Sequence, residues 1–225
     1  MTPSAILFSG GLDSAVLLAL ELAGHAPVWP IHVRAGLAWE DAEARTISRI
    51  LSAPPFAGRV EPASTLAVDM RDVYPATHWA IEGRPPAYDT PDEDVYLEGQ
   101  NIVLIAKAAV WCARHHVERL AIGPLAGNPF PDATPEFFDS MARSMSLGLA
   151  RPFSVVAPLA HAHKEDVIRM GLERRVPLEL TLSCMNPASD RHCGLCSKCR
   201  ERQDAFKAAG VDDRTIYSAV WKVTS

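Results

Sequence analysis

The chain has 225 residues, 48% hydrophobic and 22% charged, which suits one large domain or one domain with a small appendage. A net charge of −5, from 27 acidic and 22 basic residues, offers no basic footprint for a nucleic-acid backbone. No apolar run approaches the ~18 residues of a membrane span, and the first strand signal starts so close to Met1 that no signal peptide is expected.

Strand and helix signals alternate along the chain. Four apolar residues, Ala5–Phe8, run into Ser9-Gly10-Gly11, and an Ala/Leu-rich helix follows through Gly24. Val28 to Val33 reads as a strand and Glu40 to Ala53 as a helix with Ala44, Ile47, Ile50 and Leu51 on one face. Arg59 to Leu66 is a third strand, interrupted by Pro62. Gly99 to His116 is a long apolar helix, Arg119 to Ile122 a short strand, and a helix capped by Asp132 or Thr134 runs through Leu147. Phe153 to Val156 is a strand and Lys164 to Arg174 a helix. Such βα alternation predicts an α/β fold: a Rossmann-like, mostly parallel sheet with helices on both faces and ligand at the strands' C-terminal ends.

Two stretches break the alternation. Glu82 to Asp94 is Pro-rich and acidic, the kind of long loop expected as a lid, a binding loop or a disordered segment. Gly123 to Asp132 follows a strand directly, which puts it on the same sheet edge as the Ser-Gly-Gly turn; it contains Asn128 and several prolines.

Near the C-terminus, Cys184, Cys193, Cys196 and Cys199 carry the spacing of a tetrahedral Zn²⁺ site. Four thiolates leave no position for water, so the expected role is structural. A clustered set of thiols also fits a reducing compartment, and a cytoplasmic protein is expected. Cys112 stands alone on an apolar helix and reads as core. His192 reads as a solvent residue, and Lys198, Arg200 and Arg202 as a solvated helix face.

Paired glycines between a strand and a helix let backbone amides approach an anion at the helix N-terminus. No Gly-Lys-Ser/Thr follows, so this is not a Walker A loop. Ser9-Gly10-Gly11-Leu12-Asp13-Ser14 instead resembles the pyrophosphate (PP) loop of the ATP pyrophosphatases, within the HUP class of Rossmann-like folds. Together with His163-Lys164 and with Leu180-Thr181-Leu182-Ser183-Cys184 leading to Cys193 through Arg200, it is similar to the 7-cyano-7-deazaguanine synthase (QueC) family. That resemblance implies an ATP-dependent ligase of the queuosine pathway, converting 7-carboxy-7-deazaguanine and ammonia to a nitrile.

The resemblance implies residues 1–180 as the PP-loop domain and 181–225 as the zinc-binding segment. Phe8 to Ser14 would bind ATP, with Asp13 capping the helix or assisting Mg²⁺. Lys164 would neutralise charge as pyrophosphate leaves, and Asp132 joins Asp13 and Lys164 as a catalytic candidate. Arg34, Gln100, Asn101 and Asn128 are substrate candidates. Partners are small molecules, with no nucleic acid and no membrane; a homodimer is compatible. The chain also departs from the family. Glu98-Gly99-Gln100-Asn101 stands where relatives have Pro-Gly-Arg-Asn, and Asp132-Ala133-Thr134 where they have Asp-Cys-Arg. Val33-Arg34-Ala35-Gly36 replaces Asp-Tyr-Gly-Gln, so Arg34 is the substitute cation in a divergent branch. Alternatives are another PP-loop adenylating enzyme, such as a tRNA thiolase or amidating ligase, or a relative with a different or protein-borne acceptor.

Overall fold

The structure is a computed structural model that describes residues 1–221. Five parallel strands form one sheet in the order β3-β2-β1-β4-β5, with β1 Ser4–Leu7, β2 Val28–Arg34, β3 Ser64–Ala67, β4 Arg119–Ala121 and β5 Ser154–Val156. The chain reverses its direction of travel across the sheet between β1 and β4, and the crevice beyond that junction is where open α/β sheets bind ligands. Register brings the two key turns level. Ala5 pairs with Leu120 and Ile6 with Ala121, so Ser9 and Gly123 each lie two residues past the end of a paired strand.

The central strand is apolar on both faces because both faces are covered. Ile6 and Phe8 pack in one cluster with α1 (Leu12–Gly24), α2 (Glu40–Leu51) and α6 (Lys164–Glu173). Ala5 packs in another with α4 (Gln100–Arg114) and α5 (Pro135–Leu149). A short α3 (Trp79–Glu82) belongs to a third cluster beyond the sheet edge. The last helix, α7 (Ser197–Ala209), returns Ala205 and Phe206 to the α1 side of the core.

Most predicted elements form within a few residues of the expected bounds, and the differences have causes. The third strand starts only at Ser64, because Pro62 has no N–H to give to a ladder. At the start of α5 the cap is Thr134, whose Oγ1 accepts from the Phe137 amide at 3.2 Å.

Three expectations are corrected. The acidic stretch Glu82–Asp94 is not a free loop; it straps onto α7. Arg200 donates to the carbonyls of Tyr88 (2.8 Å) and Thr90 (2.6 Å) and pairs with Asp92, while the Ser197 amide donates to the Pro86 carbonyl. The basic face is not solvated, since Arg202 is 1% exposed. It donates to Thr215 Oγ1, Thr181 Oγ1 and the Leu178 carbonyl and lies over the Phe206 ring. His192 is buried too, its Nε2 accepting from the Ser183 amide at 3.0 Å.

At the opposite end of the sheet from the crevice, Glu21 is buried under β1 and β4. It accepts from Ser4 Oγ at 2.5 Å and from Arg119 Nη2 and Nε at 3.0 and 3.1 Å. Burial raises its carboxyl, but the Arg119 and Ser4 hydrogen bonds and the Arg119 charge outweigh it and hold the group below its ordinary value. Glu21→Ala is expected to cost about 2–3 kcal/mol by urea unfolding, less than the ~3–5 of a fully buried pair because Arg119 is partly solvated. Because the folded-state value lies below the unfolded one, this contribution is present at neutral pH and is lost as pH falls through the folded value. The wild-type-minus-variant stability difference should therefore shrink in acid.

Candidate active site and a four-cysteine centre

The turn after β1 is shaped by its two glycines. Gly10 has φ +76°, a left-handed conformation that L side chains rarely adopt. A Cβ there would also stand 3.1 Å from Thr46 Cγ2 and 3.3 Å from Ile47 Cγ1 of α2. Gly11 is the N-cap of α1, with no side chain capping that helix. The loop closes on itself: the Gly11 amide donates to Ser9 Oγ at 3.2 Å, and Ser14 Oγ donates to the Gly11 carbonyl at 3.0 Å. From the other side, the Leu182 amide donates to the Gly10 carbonyl at 2.9 Å.

This turn opens into a cavity of about 360 Å³, within the ~300–1,000 Å³ usual for small-molecule sites. Phe8, Ser9, Gly11, Asp13 and Ser14 line it, as do Gly123, Pro124, Asn128 and Phe130 from the turn after β4. Gln100 and Asn101, at the start of α4, complete one wall. Gly10 and Leu12 lie beneath this lining, both buried.

Asp13 does not cap α1. Its Oδ2 accepts from Lys164 Nζ at 2.6 Å, and its Oδ1 is buried with no hydrogen-bond partner. Lys164 is the first residue of α6, a helix start at which the His163 amide donates to Asp166. The lysine is not a surface residue: its side chain is 17% exposed and makes a second ion pair, at 2.9 Å, with Glu201 of α7. Burial alone would lower the Lys164 ammonium, but the two carboxylates more than offset this and hold it above its ordinary value. Burial pushes Glu201 up, and the charges of Lys164 and Lys198 outweigh it, leaving the carboxyl at about 2. Glu201 escaped the sequence reading because only tertiary folding brings α7 against α6.

Two other residues escaped it. His32 of β2 and Glu43 of α2 line the floor of the cavity, 3.9 Å apart, and His32 Nε2 is buried without a partner. Burial lowers His32, while burial and then the Glu40 charge push Glu43 up to about 8. A His and a Glu eleven positions apart give no motif; only the packing of α2 on β2 pairs them.

Asp132 is buried beside the cavity rather than in its lining. Its Oδ2 accepts from the Asn101 amide at 3.0 Å, and Asn101 Nδ2 donates back to the Asp132 carbonyl at 2.9 Å. It thus takes an otherwise unpaired amide at the start of α4, whose N-cap, Gly99, has no side chain. Arg34 lies outside the lining, its guanidinium taken by Asp41 at 2.6 Å and Glu40 at 3.5 Å.

Beyond the cavity, the sulfurs of Cys184, Cys193, Cys196 and Cys199 all lie within 4.8 Å of one another. Contacts of 3.5 Å (Cys196–Cys199), 3.8 Å (Cys193–Cys199) and 4.0 Å (Cys184–Cys196) bracket the ~3.8 Å edge of a tetrahedron with ~2.3 Å metal–sulfur bonds. Backbone amides point at the sulfurs: Asn186 and Cys193 at Cys184, Gly194 at Cys199, and Leu195 at Cys193. Donors so placed stabilise thiolates, and the four residues could hold one metal ion.

The family model described as queuosine biosynthesis protein QueC matches residues 4–210, nearly the whole chain and both motif regions. The chain belongs to the QueC family. The 7-cyano-7-deazaguanine synthase of Methanothrix thermoacetophila is 32% identical over 229 residues, covering 96% of this chain and 99% of that one. The 7-cyano-7-deazaguanine synthase 1 of Desulfitobacterium hafniense is 28% identical over 206 residues, covering 90% of each. Among solved structures, a 4-thiouridine synthetase–RNA complex with bound ATP aligns with a TM-score of 0.50 at 16% identity, over 93% of this chain and 51% of that one. At that identity the likeness shows a shared fold.

Within this QueC-family member, the two positions at which the resemblance implies arginines lie in different surroundings. Gln100 lines the cavity, so a cation there would face the ligand, whereas Thr134 is a helix cap outside the lining. Arg34 is neutralised by its own acidic neighbours and does not restore a cation to the wall.

Proposed function

We propose that this protein is an ATP-dependent carbon–nitrogen ligase that converts 7-carboxy-7-deazaguanine and ammonia to 7-cyano-7-deazaguanine. The observation that carries this reading is that the Ser9–Ser14 loop lines the cavity at the β1/β4 crevice while Lys164, behind that lining, reaches it through Asp13, in a chain of the QueC family. Phosphate oxygens would take the amides of the first turn of α1 together with Ser9 and Ser14. The unpartnered Asp13 Oδ1 fits a carboxylate that meets Mg²⁺ arriving with ATP, and Lys164 would balance charge on the departing pyrophosphate. The substrate carboxylate attacks the α-phosphate and expels pyrophosphate, and ammonia then displaces AMP to give the amide. The amide oxygen attacks a second ATP in the same way and expels pyrophosphate, and loss of AMP together with both amide N–H protons leaves the nitrile. No protein nucleophile is required; the protein positions the reactants and stabilises charge.

Residues 1–180 form the nucleotide-binding unit in this reading, and 181–225 a segment closed by structural Zn²⁺; residues 222–225 of that segment lie outside the described residues. A thiolase reading needs a sulfur-carrying cysteine at the site. Cys112, the one cysteine outside the cluster, is buried in the α4–α5 core, and burial pushes its thiol up to about 12. The reading keeps small molecules as partners, without nucleic acid, in the reducing cytoplasm, and remains compatible with a homodimer. Among the described residues, no helix is long and apolar enough to cross a membrane. Incubation with ATP, Mg²⁺, ammonia and 7-carboxy-7-deazaguanine is expected to yield the nitrile by mass, with AMP and pyrophosphate released. ATP consumption without nitrile would direct attention to a different acceptor, and no consumption would overturn the reading.

A further inference from the structure

The cysteine centre and the nucleotide loop are joined through one side chain. Cys196 is the N-cap of α7 and Cys199 lies in its first turn, so a metal held by these thiols fixes where that turn points. Glu201 follows two residues later and carries its carboxylate to Lys164 Nζ at 2.9 Å, while the same ammonium holds Asp13 at 2.6 Å. Lys164 is thus gripped from two elements, one the loop it serves and the other the helix organised by the cysteines.

We infer that Glu201 is a positioning residue: it holds Lys164 in register with Asp13 and so makes the cysteine centre part of the nucleotide site. A lysine stem has four rotatable carbons and explores many rotamers unless its head is held. Asp13 alone cannot supply that hold during turnover, because Asp13 lines the cavity where phosphates and their cation must enter. Glu201 lies outside the cavity lining and keeps its grip whatever the cavity contains. Lys198, one turn earlier on α7, pairs with the same carboxylate and orients it.

This inference rests on the proposed function for its catalytic arm only, and a binding arm keeps the two separable. Glu201→Gln, Lys164→Met and the double variant are compared in nitrile formation and in equilibrium binding of Mg²⁺ with the α,β-methylene analogue of ATP. Zinc content and melting temperature are recorded for each. Glu201→Gln is expected to lower kcat by about tenfold and affinity for the ATP analogue by at least about fivefold, and to retain its zinc. In the Lys164→Met background, adding Glu201→Gln should do almost nothing, so the product of the single effects exceeds the double effect by at least about fivefold, in both kcat and analogue affinity. Multiplicative effects would overturn the inference, as would wild-type behaviour of Glu201→Gln, or a loss of activity that tracks loss of zinc. If the unaltered protein makes no nitrile, the functional reading fails while the binding cycle still decides whether Glu201 acts through Lys164.

Discussion

Gly10→Val is expected to abolish ATP binding, lowering affinity by more than about a hundredfold, while the protein stays folded. Two independent costs meet at this residue. A left-handed φ of +76° strains any L side chain, and a β-branched one most, at roughly 1–3 kcal/mol. The new side chain would also enter the space of Thr46 Cγ2 and Ile47 Cγ1 on α2. Relief of both requires the loop to move, and the Gly11 amide, Ser9 and Ser14 move with it. The strands and the two core clusters lie behind the turn, so circular dichroism should be nearly unchanged. Isothermal titration with ATP and Mg²⁺ reads the result. Undiminished affinity would mean that the turn is only a strand-to-helix connector.

The second large effect is on stability. Purified without chelator, the protein is expected to carry one zinc ion per chain, and Cys196→Ser should lose it. Cys196 sits where several parts of the molecule meet. It is the N-cap of α7, its sulfur touches those of Cys184 and Cys199, and its backbone bridges to Ala87 of the acidic strap. Without the ion, three buried thiols and the half-buried Cys193 crowd together with nothing to bind them, and the Arg200 contacts to the strap lose their fixed base. A loss of about 3–5 kcal/mol would lower the melting temperature by on the order of 10 °C for a chain of this size. Elemental analysis and differential scanning calorimetry decide it. Zinc-free wild-type protein with an unchanged melting temperature would sink the metal reading.

These two predictions draw on the parts of the molecule that local sequence writes most plainly. The Ser9–Ser14 turn is a contiguous motif whose glycines answer a backbone requirement, and the cysteine spacing answers the reach of one ion. Alternating apolar runs specified the parallel sheet for a similar reason: a strand covered on both faces is apolar on both, as Ala5–Leu7 of β1 is. Family membership rested on these same local signals.

What the tertiary structure alone decided is every pairing between distant segments, because charge and hydrogen-bond partners have no period along the chain. The resemblance implies a role for Lys164, but its two carboxylate partners, Glu201 and Asp13, close on it only in the fold. Arg202 reads as solvated until Thr181, Thr215 and the Leu178 carbonyl satisfy its donors and make burial tolerable. Arg34 reads as a substrate cation until Asp41 and Glu40 claim it, and His32 and Glu43 carry no signal until α2 lies on β2. The backbone geometry of the turn and the thiol cluster is encoded within a few residues, whereas the electrostatics of the cavity exist only once the sheet has brought β1, α6 and α7 together.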